Sequence, residues 1–338
     1  MWADAAVLAI LPWRLEISGA VAVGEVPTPV PGPGEVRVRV AAAGLNRADL
    51  LQMRGQYPPP PGASSVPGLE CAGVVDQIGE EVTDCRIGDR VMALLAGGGQ
   101  AEWVVVPAGQ LLPVPPNLTL EEAAAIPEAA LTSWTNLVAE GRLRSGESVL
   151  ITGATSGIGT FAVQLVRELG GRVIAAARSS ERLERLREFG VEHLVPLDAD
   201  YPKQVRALTG GKGVELVLDL VAGEWLGPTL ECMAERGRLI LVGLTAGRKV
   251  ELDLGLLLRR RLQMVGSVLR ARPVAEKAEL VSAFAEFGLP RLADGRLRPV
   301  IDRVFPLAEA AQAYAYLEHE RPLGKVLLLC AETAQLVG

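Results

Sequence analysis

The pattern of apolar and polar positions changes along the chain. Up to about residue 125 it consists of short runs broken by Pro and Gly, with clean alternation at residues 35–40 and an apolar run at 103–106. Such runs predict short strands joined by tight turns. From about 129 to 270, apolar strand patterns alternate with helical periodicity. This alternation predicts a parallel sheet with helices on both faces, which is an α/β doubly wound fold.

A glycine-rich turn follows the first strand of the middle stretch. Residues 148–151 are apolar, and Phe161, Leu165 and Leu169 follow the turn at helical spacing. Glycines at a strand-to-helix turn let backbone N–H groups and the positive end of the helix dipole approach a pyrophosphate. An ordinary βα connection or a flavodoxin-like sheet without a dinucleotide is the alternative. The predicted cofactor-binding residues of the turn are Gly153, Ala154, Ser156, Gly157, Ile158 and Gly159.

The end of the next strand, residues 172–177, favours NADPH over NADH. An NAD site usually carries an Asp or Glu here to bind the ribose 2′-hydroxyl. This chain has Ala177, followed by Arg178, Ser179 and Arg182. A small residue leaves room for a 2′-phosphate, and guanidinium and hydroxyl groups can bind it. The alternative is that the serine caps a helix whose arginines face solvent.

Further strands are predicted at residues 214–220, 237–243 and 262–269. A helix is predicted at 307–317 and a terminal strand at 325–329.

Composition narrows the function classes. The chain has 338 residues, 49% of them hydrophobic, which is enough for two domains. A net charge of −6 argues against a nucleic-acid partner. No apolar run is long enough to span a bilayer, and no basic segment precedes the first apolar residues. We therefore expect a cytoplasmic protein with a small-molecule substrate and no membrane partner.

Few residues suit a soft metal. The four cysteines are scattered without a CxxC spacing, and the histidines are His193, predicted in a loop after Gly190, and His319, among charged residues. Neither pattern indicates a disulfide framework or a catalytic zinc site. We therefore predict a protein without zinc.

Several longer motifs occur together, and the chain with them resembles a known superfamily. They are AGLNRAD at 43–49, RGQYP at 54–58, PGLECAGVV at 67–75, GDRV at 88–91, GSVLR at 266–270 and LGKV at 323–326. The resemblance is to the medium-chain dehydrogenase/reductases, and among them to the zinc-independent quinone oxidoreductases of zeta-crystallin type. It covers nearly everything from Pro27 to Leu329.

The resemblance implies an architecture and an activity. The architecture is a GroES-like β-barrel catalytic domain made of residues 1–128 and 271–338, and a Rossmann NADPH-binding domain at 129–270, with the active site in the cleft. Relatives pair as homodimers or homotetramers through the strand that corresponds to 262–269. The implied activity is hydride transfer from NADPH to a quinone.

Zinc-dependent relatives have a Cys where this chain has Asn46 and a His where it has Leu69. Neither residue replaces those ligands, so the resemblance implies catalysis without a metal. Tyr57 is then the residue that hydrogen-bonds the acceptor oxygen, Asn46 bonds the acceptor or the nicotinamide ribose, and Ser156 faces the nicotinamide. Without the resemblance, Tyr57 reads as a packed ring beside a proline turn and Asn46 as a local turn residue.

The resemblance implies further cofactor contacts outside the glycine turn. Leu197 stands where many relatives have a Tyr near the adenosine phosphate, and Arg178 is expected to compensate. Asp49 is expected only to orient neighbouring backbone. The additional cofactor-binding residues are Thr132, Gly243, Ser267, Leu269, Arg270 and Lys325.

Three other interpretations compete with this one, and a missing catalytic pair excludes the first of them. A short-chain dehydrogenase has a similar glycine turn but needs a Tyr-x-x-x-Lys pair, and the residues four past each tyrosine are Pro61, Val205, Glu318 and Glu320. An NADPH-dependent alkenal or enoyl reductase of the same superfamily is hardly separable by sequence. A cofactor-binding structural or RNA-binding protein is the non-enzyme alternative.

Overall fold

The computed structural model describes residues 6–11 and 21–330. Its strands are β1 Ala6–Ile10, β2 Val23–Pro27, β3 Glu35–Leu45, β4 Glu70–Ile78, β5 Arg90–Leu94, β6 Trp103–Pro107, β7 Leu111–Pro113, β8 Ser148–Thr152, β9 Arg172–Ala177, β10 His193–Pro196, β11 Val214–Asp219, β12 Met233–Leu241, β13 Gln263–Gly266, β14 Ile301–Pro306 and β15 Lys325–Leu329. Its α-helices are α1 Arg47–Met53, α2 Leu120–Ala124, α3 Pro127–Trp134, α4 Gly157–Glu168, α5 Ser180–Glu184, α6 Tyr201–Leu208, α7 Leu226–Glu231, α8 Leu254–Arg260, α9 Val274–Ala293 and α10 Ala310–His319.

The middle of the chain forms a parallel sheet. Its six strands lie in the order β10-β9-β8-β11-β12-β13, and every pairing is parallel. This is the doubly wound order of a dinucleotide-binding fold, with β8 next to the point where the strand order reverses. Strands β8 and β9 are almost wholly buried, as expected for strands covered on both faces. The predicted doubly wound sheet is confirmed.

The rest of the described chain is built on a mainly antiparallel sheet. Strands β14-β15-β3-β4-β5-β7 are hydrogen-bonded in that order, and β6 pairs with β3. The long strand β3 alternates between half-buried and buried side chains before it becomes continuously buried at its C-terminal half. Its buried valines contribute to the hydrophobic core of this unit. A two-stranded sheet, β1-β2, lies beside it in sequence.

Two compact units result. One contains the described residues up to Leu131 and from Arg270 onward, and the other is Thr132–Leu269. The boundaries lie within three residues of those that the sequence indicates; parts of the predicted 1–128 and 271–338 segments lie outside the described residues.

Element boundaries differ from the sequence-based prediction where the strand pattern is irregular. β12 begins at Met233, four residues before the predicted start, because a bulge with a left-handed Arg236 (φ 61°) interrupts the alternation. β13 covers only part of the predicted 262–269 strand. His193 was expected in a loop, and this was wrong: it is the first residue of β10 and is half-buried. Among the described helices, none combines the length and the apolar character that crossing a membrane would require.

Candidate active site

The glycine-rich turn joins β8 to α4. Gly153 is left-handed with φ 67°, and Ser156 is the N-cap of α4, where its Oγ accepts a hydrogen bond from the Gly159 backbone N at 3.1 Å. A Cβ at Gly159 would lie 2.5 Å from the Gly153 carbonyl oxygen. The turn is therefore closed tightly on itself and leaves no room for a side chain at Gly159. Backbone N–H groups at the start of this 12-residue helix are suited to binding phosphate.

A hydrogen bond between Thr152 and Asp219, which are not among the predicted site residues, connects this turn to the end of β11. Thr152 Oγ1 donates to Asp219 Oδ1 at 2.6 Å and accepts from the Leu220 backbone N at 3.1 Å. Asp219 Oδ1 also accepts from the backbone N atoms of Val221 and Ala222, at 2.9 and 3.0 Å. The signal in the sequence was an acidic residue at the C-terminal end of a mainly apolar strand. Such a residue at this edge of a parallel sheet lies where ligands bind.

Five buried side-chain atoms of this unit have no hydrogen-bond partner among the described residues, and two of them lie at the carboxyl ends of sheet strands, where a ligand can reach them; the other three belong to Thr135, Asn136 and Arg238. Asp219 Oδ2 and Ser267 Oγ are both buried and have no hydrogen-bond partner in the described part of the chain. Buried polar atoms are nearly always paired, so each unpaired one calls for an explanation. Together with the closed glycine turn, these atoms fit a nicotinamide dinucleotide, whose hydroxyl and amide groups can supply the missing partners.

Gly243 also lies at this edge, shortly after β12. A Cβ there would lie 2.3 Å from the Leu220 carbonyl oxygen, so only glycine fits. Leu269 is buried. Thr132 is buried as well, and its carbonyl oxygen accepts from Asn136 Nδ2 at 2.7 Å, where a π-helical segment, Thr135–Glu140, begins.

The end of β9 has the predicted basic character. Arg178 is exposed and makes no hydrogen bond or ion pair with other described residues. Ser179 is the N-cap of α5, and its Oγ accepts from the Arg182 backbone N at 3.3 Å. The capping role therefore coexists with the proposed phosphate role, because a hydroxyl can still donate. Arg182 is half-buried on the first turn of α5.

In the other unit, Asn46 belongs to a buried charged network. The Lys325 ammonium donates to Asn46 Oδ1 at 2.7 Å, to the Leu45 carbonyl oxygen at 3.2 Å, and to Glu70 Oε1. Asn46 Nδ2 also donates to Glu70 Oε1, at 2.9 Å, and Glu70 Oε2 accepts from the Glu128 backbone N at 2.9 Å. The side chains of Lys325 and Glu70 are 4% and 0% exposed.

This network changes the interpretation of two predicted residues. An ammonium has three N–H groups, and all three of Lys325 are used within its own unit. Lys325 therefore has no donor left for a cofactor contact. Asn46 has both ends of its amide engaged, although Oδ1 retains a second lone pair and Nδ2 a second hydrogen. It can still bind a ligand, in an orientation that Lys325 and Glu70 fix.

The residues at the positions of zinc ligands do not suit the metal. Asn46 is a neutral amide bonded to an ammonium, and Leu69, the residue just before β4, has an apolar side chain and is 1% exposed. Zinc prefers thiolate, imidazole and carboxylate ligands. Among the residues with described positions, no group of three or more His, Cys, Asp or Glu side chains could hold a metal ion.

Asp49 supports the local backbone, as expected. Its Oδ2 accepts from the Asn46 backbone N at 2.8 Å and its Oδ1 from the Gly68 backbone N at 3.3 Å. Gln100 donates to the same carboxylate, and Tyr314 donates to Gln100 at 2.6 Å. Complete burial raises the pKa of Asp49 to about 6, against the opposing effect of these N–H donors.

Tyr57 has an available hydroxyl. The ring is half-buried, and the hydroxyl makes no hydrogen bond with another described residue. Burial raises the pKa of Tyr57, and the nearby Glu128 carboxylate raises it further, while the Arg270 guanidinium acts in the opposite direction. The phenol is therefore a neutral donor near pH 7, ready for an acceptor oxygen.

Arg270 contacts Tyr57 directly. Its guanidinium lies over the Tyr57 ring, with Cζ 5.2 Å from the ring centroid. Nη1 donates to the Tyr57 carbonyl oxygen at 3.1 Å. The structure thus brings together Tyr57 with Arg270 and Asn46 with Lys325 in one unit, and Ser156 with the glycine turn in the other.

Known families match both units. The family described as alcohol dehydrogenase GroES-like domain matches residues 32–116, and that described as zinc-binding dehydrogenase matches residues 157–286. The chain is 35% identical over 297 residues to a quinone oxidoreductase of Pseudomonas aeruginosa, covering 85% of this chain and 89% of that protein. It is 34% identical over 323 residues, 94% of this chain, to a component of the phenolphthiocerol/phthiocerol polyketide synthase of Mycobacterium tuberculosis. It spans only 14% of the length of that synthase component.

Solved structures agree with the fold. A crystal structure of an NAD-dependent alcohol dehydrogenase has a TM-score of 0.83 at 32% identity, covering 96% of this chain and 99% of that one. The apo JamJ enoyl reductase has the same TM-score and the same coverage at 26% identity. The GroES-like and Rossmann-type domains predicted from the sequence are thereby confirmed. This chain belongs to the medium-chain dehydrogenase/reductases, a superfamily of nicotinamide-dependent oxidoreductases, and within it to the quinone oxidoreductase group of zeta-crystallin type.

Proposed function

We propose that the chain is an NADPH-dependent quinone oxidoreductase that works without a metal. The observation that carries the proposal is the Tyr57 hydroxyl, half-buried, protonated and without a partner among the described residues. This free hydroxyl suits an electron acceptor whose oxygen needs only one hydrogen bond, and not a Lewis acid, to become reducible by hydride. The similarity to a protein named quinone oxidoreductase supports this acceptor class.

The residues of the Thr132–Leu269 unit would hold the cofactor. The glycine turn and the N-terminus of α4 would bind the pyrophosphate. Asp219 Oδ2 would accept a hydrogen bond from a polar group of the cofactor, and Ser267 Oγ would donate or accept one. When bound, reduced nicotinamide supplies a hydride, which together with one proton converts a quinone to a hydroquinone. Ser156 is proposed to face the nicotinamide while it caps the helix.

The chain's own residues would orient the acceptor and manage the proton. Tyr57 would donate a hydrogen bond to the acceptor oxygen and so stabilise the negative charge that develops there. Asn46, fixed by Lys325 and Glu70, would present its amide to the acceptor or to the ribose. The proton would come from Tyr57. Water could supply it instead, because a hydroquinone anion is a weak base. Positioning in a site that excludes water would supply most of the acceleration.

The preference for NADPH is a separate proposal with its own test. Arg182→Glu is expected to weaken NADPH binding more than tenfold, because a charge-assisted contact of about 1.5–3 kcal/mol is replaced by repulsion. NADH, which has no 2′-phosphate, should be affected far less. The measurement is a fluorescence titration with both reduced cofactors. Arg185→Glu, an exposed arginine three residues further on, is the matched control and should leave both affinities nearly unchanged. Equal or tighter binding of NADH by the unmodified protein would refute the preference.

The acceptor class is tested by a substrate panel. NADPH oxidation is followed with benzoquinones, larger ring quinones, conjugated enals, and saturated aldehydes. We expect the quinones to give the highest kcat/KM, because a quinone is already electrophilic and becomes aromatic on reduction, so it accepts hydride without a metal. An alkenal or enoyl reductase is the second candidate, favoured by the likeness to the JamJ enoyl reductase. Enals that outperform every quinone would establish that candidate, and activity confined to saturated aldehydes would overturn both.

We also propose a homodimer or homotetramer formed through β13. This short strand ends the six-stranded sheet, and Met264 on it is 37% exposed. Nearby in sequence, Leu254 and Leu258 of α8 are 64% and 79% exposed. An edge strand with exposed apolar side chains beside it is suited to pairing with a second copy. Light scattering at micromolar concentration should give at least twice the chain mass; a monomeric mass would contradict the proposal.

A further inference from the structure

The Arg270 side chain is buried and bonds residues of its own unit. Only 5% of the residue is exposed, and its donors are directed at the residues of its own unit. Nε donates to the Ala96 carbonyl oxygen at 2.7 Å, Nη1 to the Tyr57 carbonyl oxygen at 3.1 Å, and Nη2 to Gln52 Oε1 at 2.6 Å. Burial lowers the pKa of this arginine, with Tyr57 and Asp49 opposing the shift.

The segment that follows Tyr57 has few backbone donors of its own. Tyr57 is followed by four consecutive prolines at residues 58–61, which have no backbone N–H to donate. Gln52 links the same contact to the far end of the segment, because its Nε2 donates to the Ser65 carbonyl oxygen at 3.0 Å. Arg270 and Gln52 therefore connect both ends of the proline segment to α1 and to the chain after β13.

Arg270 also fixes the direction of the Tyr57 ring. Its Cζ lies 5.2 Å from the ring centroid, a cation–π distance, while Nη1 bonds the carbonyl oxygen of the same residue. One guanidinium thus restrains the backbone and the ring together. We infer that Arg270 is a positioning residue for Tyr57 and not, as the family resemblance implies, a direct contact to the cofactor. This inference rests on the proposed function, in which the Tyr57 hydroxyl meets the acceptor oxygen.

The two roles predict different kinetic changes. A positioning residue acts on turnover, because a hydroxyl displaced by about 1 Å loses its alignment with the acceptor oxygen. A cofactor contact acts on cofactor affinity. We therefore expect Arg270→Met to lower kcat at least tenfold and to leave the NADPH dissociation constant within twofold. Arg270→Lys should lose nearly as much, because a single ammonium cannot replace the planar three-way contact.

A double-mutant cycle with Tyr57→Phe separates the inference from general damage. Phe keeps the ring and the carbonyl oxygen but has no hydroxyl to position. In the Tyr57→Phe protein, Arg270→Met should therefore cost less than a further threefold in kcat. Arg303→Met is the control, because exposed Arg303 lies over the Tyr316 ring at 5.1 Å in the same unit, and it should leave kcat unchanged.

The outcomes are distinct. The inference is overturned if Arg270→Met raises the NADPH dissociation constant tenfold and leaves kcat unchanged. It is also overturned if Arg270→Met lowers kcat as much in the Tyr57→Phe protein as it does in the unmodified protein. A Tyr57→Phe protein with unchanged kcat overturns the proposed role of Tyr57 itself. If Arg270→Met does not fold, Gln52→Leu removes the Nη2 partner and the Ser65 tether while leaving Arg270 in place. That variant is expected to lower kcat several-fold at constant NADPH affinity, and an unchanged kcat would again count against positioning.

Discussion

Tyr57→Phe is expected to slow quinone reduction at least tenfold, and by about 10²–10⁴-fold if the phenol transfers its proton fully. The hydroxyl is the group lost, because the ring contact with Arg270 and the backbone contact to the Tyr57 carbonyl remain. NADPH affinity should change little, since binding of the dinucleotide is assigned to the other unit. Steady-state kinetics and a fluorescence titration measure the two quantities separately.

Tyr316→Phe is the matched control for this variant. The Tyr316 hydroxyl donates to Asp302 Oδ2 at 2.7 Å in the same unit, so its removal costs a hydrogen bond without touching the proposed acceptor site. Normal kcat in Tyr316→Phe and reduced kcat in Tyr57→Phe would support the assignment. Equal kcat values in the unmodified protein, Tyr57→Phe and Tyr316→Phe would show that the Tyr57 hydroxyl takes no part in turnover.

Lys325→Met is expected to destabilise the protein by about 3–5 kcal/mol. The change leaves the Glu70 carboxylate, which is 0% exposed, without its cation in the interior. Met also leaves the Leu45 and Asn46 oxygens without their donor. The free energy of unfolding from chemical denaturation is the measurement, with circular dichroism of the native state to confirm the fold.

A second buried lysine provides the control. Lys277 is 3% exposed, but the only hydrogen bond of its ammonium within the described chain is to the Arg270 carbonyl oxygen at 3.4 Å, and burial lowers its pKa. Lys277→Met should therefore cost much less than Lys325→Met. In the double variant Lys325→Met with Glu70→Gln, the neutral amide can bond both Asn46 and the Glu128 backbone N, so part of the loss should be recovered. A Lys325→Met protein as stable as the Lys277→Met protein would show that the ion pair contributes nothing.

The regular part of the fold was predictable because its signals are local. β9 and β15 have the predicted limits, since each is a continuous apolar run bounded by turn residues. β12 was placed too late because a bulge at Arg236 breaks its alternation, and a bulge depends on the partner strand β11. The half-buried position of His193 likewise results from pairing with β9, which its own neighbours in sequence do not encode.

The site was predictable in residue identity and less so in residue role. Gly44 of the AGLNRAD motif is an example of a residue whose identity is explained by packing. A Cβ there would lie 2.3 Å from Glu70 Oε1, so a larger side chain does not fit. Spacing and resemblance could select Asn46, Lys325 and Arg270, but the direction of each side chain depends on contacts across more than 200 residues of sequence. Asp219 was missed because its significance comes from its hydrogen bond to Thr152, 67 positions away.

The Lys325 ammonium also determines what this chain would need in order to hold a metal. A zinc ion held after Asn46→Cys and Leu69→His, together with at least one further ligand, would lie close to the fixed Lys325 ammonium, which already bonds Glu70. Repulsion at that range in a buried site opposes metal entry. In this chain, a metal site therefore also requires that Lys325 be exchanged for a neutral residue, before or together with the introduction of the ligands.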